Sequence, residues 1–188
     1  RARNGAQRLR VATGLGLAAL LAAAYGTLAA GVGGSAFGGV LILDNLTLAT
    51  RLGVIVLAGL TLAMLPGVAR LRHPTEYVAI VLLATSGFTL MAAAQQLLVI
   101  FLAIELASLS LYILAGFDKS KPESAEAGLK YFLFGGMSAA FLLFGFSLLY
   151  GMTGAIDLPH IAMQISLLGM SPLLVIALAM IITAFGFK

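Results

Sequence analysis

Glu105 is the one carboxylate in the apolar run of residues 97–115, LLVIFLAIELASLSLYILA. A run of this length and composition reads as a membrane-spanning helix. At a rise of 1.5 Å per residue, Glu105 lies roughly 12 Å from the start of the run, near the centre of a bilayer. A charged group there costs on the order of 3 kcal/mol or more unless it is paired or neutralised, so intramembrane acids are functional sites by default. Ser108 and Tyr112, at i+3 and i+7, share its helical face and extend it into a polar stripe. The plainer reading is a carboxyl that ties two helices together by hydrogen bonds.

Two lysines complete the set of groups that could carry protons. Lys130 follows Glu126 by four residues on one predicted helix, so an interfacial ion pair competes with a relay role, and spacing leaves both open. Lys188 ends the last apolar run, where it could extend toward headgroups instead of serving transport. The two histidines, His73 and His160, fall in loops on opposite membrane faces and cannot jointly ligate a haem. Cysteine is absent, which excludes disulfides, iron–sulfur clusters and thiolate zinc sites. Neither a metal site nor a catalytic nucleophile is expected in this chain.

The elements that must position these groups are spans. Of 188 residues 61% are hydrophobic and only 10% are charged, with a mean hydropathy of +1.09. A soluble domain carries about a quarter charged residues, so an all-α polytopic membrane protein is expected. Six spans are predicted, at about 11–30, 46–65, 75–94, 97–115, 123–150 and 172–188, in a single membrane domain covering 1–188. The first contains Gly14, Gly16 and Ala19 in a G-x-G-x-x-A pattern, but no strand precedes it, so close helix packing replaces a nucleotide site. A glycine-rich loop then leads to Asp44 and Asn45, either of which could cap the second helix. Arg51 lies near that helix's outer end and is expected to reach the headgroups. Gln95 and Gln96 make a short turn into the Glu105 helix, which predicts an antiparallel hairpin. Ser120 and Glu123 fit an S-x-x-E capping box, and residues 151–171 are expected as a long loop.

Charge orients the spans. Arg1, Arg3, Arg8, Arg10, Arg70, Arg72, Lys119 and Lys121 all fall in one alternate set of loops, and the other set holds no Lys or Arg. The positive-inside rule therefore predicts a multi-pass protein of the cell inner (plasma) membrane with its N-terminal segment cytoplasmic. The net charge of +4 is thereby accounted for as a topology signal, and without a basic groove nucleic acid is not an expected partner.

Three blocks carry a resemblance: FLAIELASLSLYILAGF at 101–117, ESAEAGLKYFLFGGMSAAFLLFGFSLLYGMTGAIDL at 123–158, and AFGFK at 184–188. Together they closely resemble the subunit N family of the bacterial proton-pumping NADH:quinone oxidoreductase, respiratory complex I. The resemblance is strong over about 77–188 and weak before that. Gly128 stands where the family usually has alanine in its A-L-K-Y-F block. It implies an antiporter-like fold built from inverted repeats, similar to the membrane subunits of multisubunit sodium/proton antiporters. It also implies roles in proton translocation for Glu105 (the family's buried glutamate), Lys130 (the lysine of A-L-K-Y-F) and Lys188 (the lysine of G-F-K, at a broken helix). A fragment lacking sequence at both ends is the expectation, with a proline- and histidine-containing break directly after Lys188.

Two functions follow as expectations. The first is a proton-translocating membrane subunit of an NADH:quinone oxidoreductase, in which Glu105 pairs with Lys188, Lys130 relays or gates, and Ser108 and Tyr112 support. NADH, FMN, iron–sulfur clusters and quinone would then reside on other subunits, and the partners would be other membrane subunits and the lipid bilayer. The alternative is a membrane subunit of a multisubunit cation/proton antiporter without redox partners. A structural spacer with an inert buried pair is the third.

Overall fold

The computed structural model describes residues 2–67, 71 and 73–188, with side chains described from residue 7 onward. Arg1, Arg70 and Arg72, three of the basic residues that orient the chain, lie outside the described residues. In order, the elements are α1 (Ala2–Ala29), a hairpin of β1 (Gly34–Ala36) and β2 (Leu41–Leu43), α2 (Asn45–Met64) with a 3-10 turn at Leu65–Gly67, α3 (Pro74–Met91), α4 (Leu97–Ala115), α5 (Pro122–Thr153), α6 (Leu158–Leu168) and α7 (Pro172–Phe187). The chain is an all-helical, multi-pass membrane protein apart from that hairpin.

Local chemistry sets the helix ends. Pro74, Pro122, Pro159 and Pro172 each fall in the first turn of a helix, where the missing N–H has no intrahelical partner to lose. Asp44 caps α2 by accepting the Thr47 N–H at 2.7 Å, and Ser171 and Asp157 cap α7 and α6 in the same manner. The predicted capping box does not form. Lys121 is the N-cap of α5, and the Ser120 hydroxyl donates to Asp118 instead, because the Asx-type turn at 118–120 claims it first.

Three expectations about extent are corrected. α1 begins at Ala2, so most of the arginine-rich segment read as a loop is helix. The predicted loop 151–171 contains α6, whose 11 residues are too short to cross a bilayer. Among the described residues, five helices are long and apolar enough to span, within Gln7–Ala29, Asn45–Gly67, Pro74–Met91, Leu97–Ala115 and Pro122–Thr153. The sixth predicted span is represented by α7, apolar but only 16 residues long.

The helices pack in two groups. α1, α2 and α3 surround Leu62, which is fully buried, and α4 to α7 surround Leu142, also fully buried. α4 belongs to both, with Leu97 and Ile104 in the second core and Leu114 against the first. The α3–α4 approach is close enough that a Cβ on Gly87 would lie 2.6 Å from the Ala107 nitrogen, so only glycine admits that spacing. At one end, backbone groups join separate segments. Ile42 N–H donates to the Ala93 carbonyl at 2.9 Å and Gln95 N–H to Val40 at 2.9 Å. Leu158 N–H donates to Gln95 at 2.9 Å and Leu97 N–H to Ile156 at 2.8 Å.

Candidate functional site

α4 presents Glu105 and Ser108 one turn apart on one face, and α7 delivers Lys188 as its C-cap. The Lys188 Nζ donates to Glu105 Oε1 at 2.5 Å and to Ser108 Oγ at 3.0 Å. The pair joins residues 83 positions apart in the chain, with side-chain exposures of 9% for Lys188 and 18% for Glu105. At such burial the charges are weakly screened, and each is expensive to leave without the other.

α5 holds α7 at the distance this contact needs. Ser138, in the small-residue patch of α5, donates its hydroxyl to the Ala184 carbonyl at 3.0 Å. The same carbonyl accepts the Lys188 backbone N–H at 3.3 Å, so the last turn of α7 is fixed from both sides. Farther along, a Cβ on Gly145 would sit 2.7 Å from the Ile181 side chain and 3.0 Å from the Ala177 carbonyl oxygen, so the two helices approach closely there. Phe187 packs against Tyr131 and Phe134 of α5 beside the lysine. Ser138 is not among the residues singled out from sequence. Its hydroxyl among glycines and alanines was the available sign that the patch also anchors a backbone group.

The other candidates are placed differently. Lys130 forms an ion pair with Glu126 on α5, and both side chains are largely exposed, at 65% and 62%. This is the interfacial pairing that spacing had left open, and the ammonium does not bond to Glu105. Tyr112 shares the face of Glu105 by register but makes no hydrogen bond to the pair. Its ring lies edge-on to Tyr131, its hydroxyl packs against Gly135, and it has no partner among the described residues. Between α3, α4, α5 and α7 lies a cavity of about 200 Å³ whose polar wall consists of Ser108, Tyr112, Tyr131 and Lys188. Arg51 does not merely extend to the surface: its Nε donates to the Thr89 carbonyl at 3.1 Å, near the C-terminal end of α3. At the edge of the bundle, the His160 ring and backbone N–H hold the Asp157 carboxyl below its usual value.

An internal acid paired to a lysine, a hydroxyl on the same ammonium and an adjoining, largely apolar cavity with a few hydroxyls on its wall lie together between α3, α4, α5 and α7. Known proteins are similar to the chain over much of its length. Residues 94–188 match the NADH:quinone oxidoreductase/Mrp antiporter transmembrane family. NADH-quinone oxidoreductase subunit N 2 of Acidobacterium capsulatum is 53% identical over 116 residues, 62% of this chain and 23% of that protein. Subunit N 1 of Roseiflexus castenholzii is 39% identical over 171 residues, 84% of this chain and 32% of that protein. Among solved structures, a chain of Thermus thermophilus respiratory complex I superposes with a TM-score of 0.77 at 31% identity, covering 95% of this chain and 38% of its own. The chain thus spans between 23% and 32% of the length of these curated relatives. With residues 94–188, half its length, matched, the chain belongs to the NADH:quinone oxidoreductase/Mrp antiporter transmembrane family.

Proposed function

We propose that this chain forms part of a proton-translocating, non-redox membrane subunit, of the subunit N type, in an NADH:quinone oxidoreductase. The observation that carries this reading is the buried Glu105–Lys188 contact between α4 and α7. Pairing stabilises the charged forms of both groups, and desolvation opposes them. Quinone reduction elsewhere in the assembly would shift the field or hydration around the pair and separate it. Lys188 then passes its proton into the adjoining cavity, Ser108 steadies the ammonium, and Tyr112 offers the next hydroxyl on that wall. Lys130 serves as a gate or relay from the end of α5, drawing on its pair with Glu126. NADH, FMN, iron–sulfur clusters and quinone belong to other subunits, and neighbouring membrane subunits are the partners. Residence in the cell inner membrane with the N-terminal segment cytoplasmic follows from the loop arginines and lysines.

The family's description also covers antiporters, which favours cation/proton exchange without redox partners as the second reading. Membrane vesicles carrying Glu105→Gln separate these possibilities. The amide keeps the shape and removes the ionisable group, so the assembled variant should lose NADH-driven acidification of the vesicle lumen. Full pumping in an assembled variant would make the carboxyl structural. Acidification driven by a sodium gradient and indifferent to NADH would favour the antiporter.

A further inference from the structure

We propose that Arg51 and the groove beside it form a binding site for a phospholipid, with the phosphate on the guanidinium and an acyl chain between α2, α3 and α4. Arg51 lies about 9 Å along α2 from its start on the hairpin side, a depth from which an arginine reaches phosphate level. Its Nε is committed to the Thr89 carbonyl, which fixes the plane of the fork. Both terminal amino groups remain available, because none of the ion pairs among the described residues involves Arg51. A half-buried guanidinium in an apolar span, with no carboxylate against it, calls for an anion, and a phosphodiester matches its fork with two parallel hydrogen bonds.

The groove supplies the tail site. It has a volume of about 340 Å³ and is lined by Val54, Ala58 and Thr61 of α2, Val81 and Phe88 of α3, and Leu111 of α4. Val54 lies one turn inward of Arg51, and Phe88 is the neighbour of Thr89, so the cation stands at the hairpin-side mouth of the groove. One cation at headgroup depth and one apolar channel leading inward from it are the two halves of a glycerophospholipid. Phe88 also lines the cavity beside Lys188, so the bound chain would lie one ring away from the buried pair.

The test is native mass spectrometry of the delipidated protein in detergent, titrated with phosphatidylglycerol. Arg51→Gln should raise the apparent Kd for the first lipid about tenfold, and Arg51→Lys should retain part of the binding. Thr61→Trp, at an exposed position of the groove wall, should weaken binding to a similar degree with Arg51 intact. Diacylglycerol with the same tails should bind far more weakly, and inorganic phosphate should not compete. Unchanged lipid binding in both Arg51→Gln and Thr61→Trp would overturn the proposal, as would equal binding of diacylglycerol or displacement by phosphate alone. These 188 residues contain no cysteine, so Thr61→Cys places a single thiol label within them. Crosslinking of that label to a photoactivatable phospholipid is expected, and crosslinking to another polypeptide instead would put a protein in the groove.

Discussion

Two glutamate–lysine pairs lie in this bundle, and they differ in everything except chemistry. Glu126 and Lys130 sit four residues apart on one helix, largely exposed, so α5 alone brings them together. Glu105 and Lys188 are buried, come from α4 and α7, and meet only because α3 and α5 hold those helices in place. The first pair reports helix formation, and the second reports the whole fold. Only the second depends on how separate helices sit against one another.

Breaking the buried pair should have the largest effect. Lys188→Met leaves Glu105 with an uncompensated buried charge, and a loss of about 3–5 kcal/mol in unfolding free energy is expected. Adding Glu105→Gln should return most of that stability without restoring pumping, a combination that thermal unfolding and vesicle assays can check together. Next comes Gly87→Ala. Its Cβ would press on the Ala107 backbone and push α4 away from α3, at a cost of about 1–3 kcal/mol. It should impair pumping while leaving the Glu126–Lys130 pair intact in a double-mutant cycle.

Acidification tests a third contact, outside both pairs. The Thr47 backbone N–H lowers the Asp44 carboxyl below its ordinary value of 3.8, so the capped form is favoured above that pH. Its contribution to α2 should be complete near neutrality and fade as pH falls below 3.8, and Asp44→Asn should flatten that part of the acid-unfolding profile. The smallest effect belongs to the exposed pair. Glu126→Gln and Lys130→Gln should each cost about 0.3–0.5 kcal/mol in stability. A much larger loss of pumping in Lys130→Gln than in Glu126→Gln would mark a relay, and equal, small losses would mark an anchor.

What was legible in the sequence follows the same division. The Glu105 helix could be read because its apolar run is long and interrupted by only one charged residue, and a cap at Asp44 or Asn45 because both are side-chain acceptors directly before a helical run. The Glu126–Lys130 pair could be read from spacing. The contact of Lys188 with Glu105 could not, since no periodicity links positions 83 apart, and only the family resemblance suggested it. α6 was hidden because its 11 residues lack the length by which a span announces itself. The hairpin was hidden because its glycines mark turns without specifying a partner strand. Tyr112 was placed on the right face by register, but the space at Gly135 that receives its hydroxyl depends on a neighbouring helix.

The backbone bonds that run from Val40 and Ile42 through Ala93, Gln95 and Leu97 to Ile156 and Leu158 act as a rivet at one end of a fan. They use no side-chain atoms, so most substitutions along them are mechanically silent, whereas a one-residue deletion would shear the joint. For a helix pivoting about that joint, displacement grows with distance from the pin. Glu105 lies about 12 Å along α4 from Leu97, where a pivot of about 5° amounts to about 1 Å of travel. A displacement of that size along the line of the contact would take the 2.5 Å separation from Lys188 to the limit of a hydrogen bond.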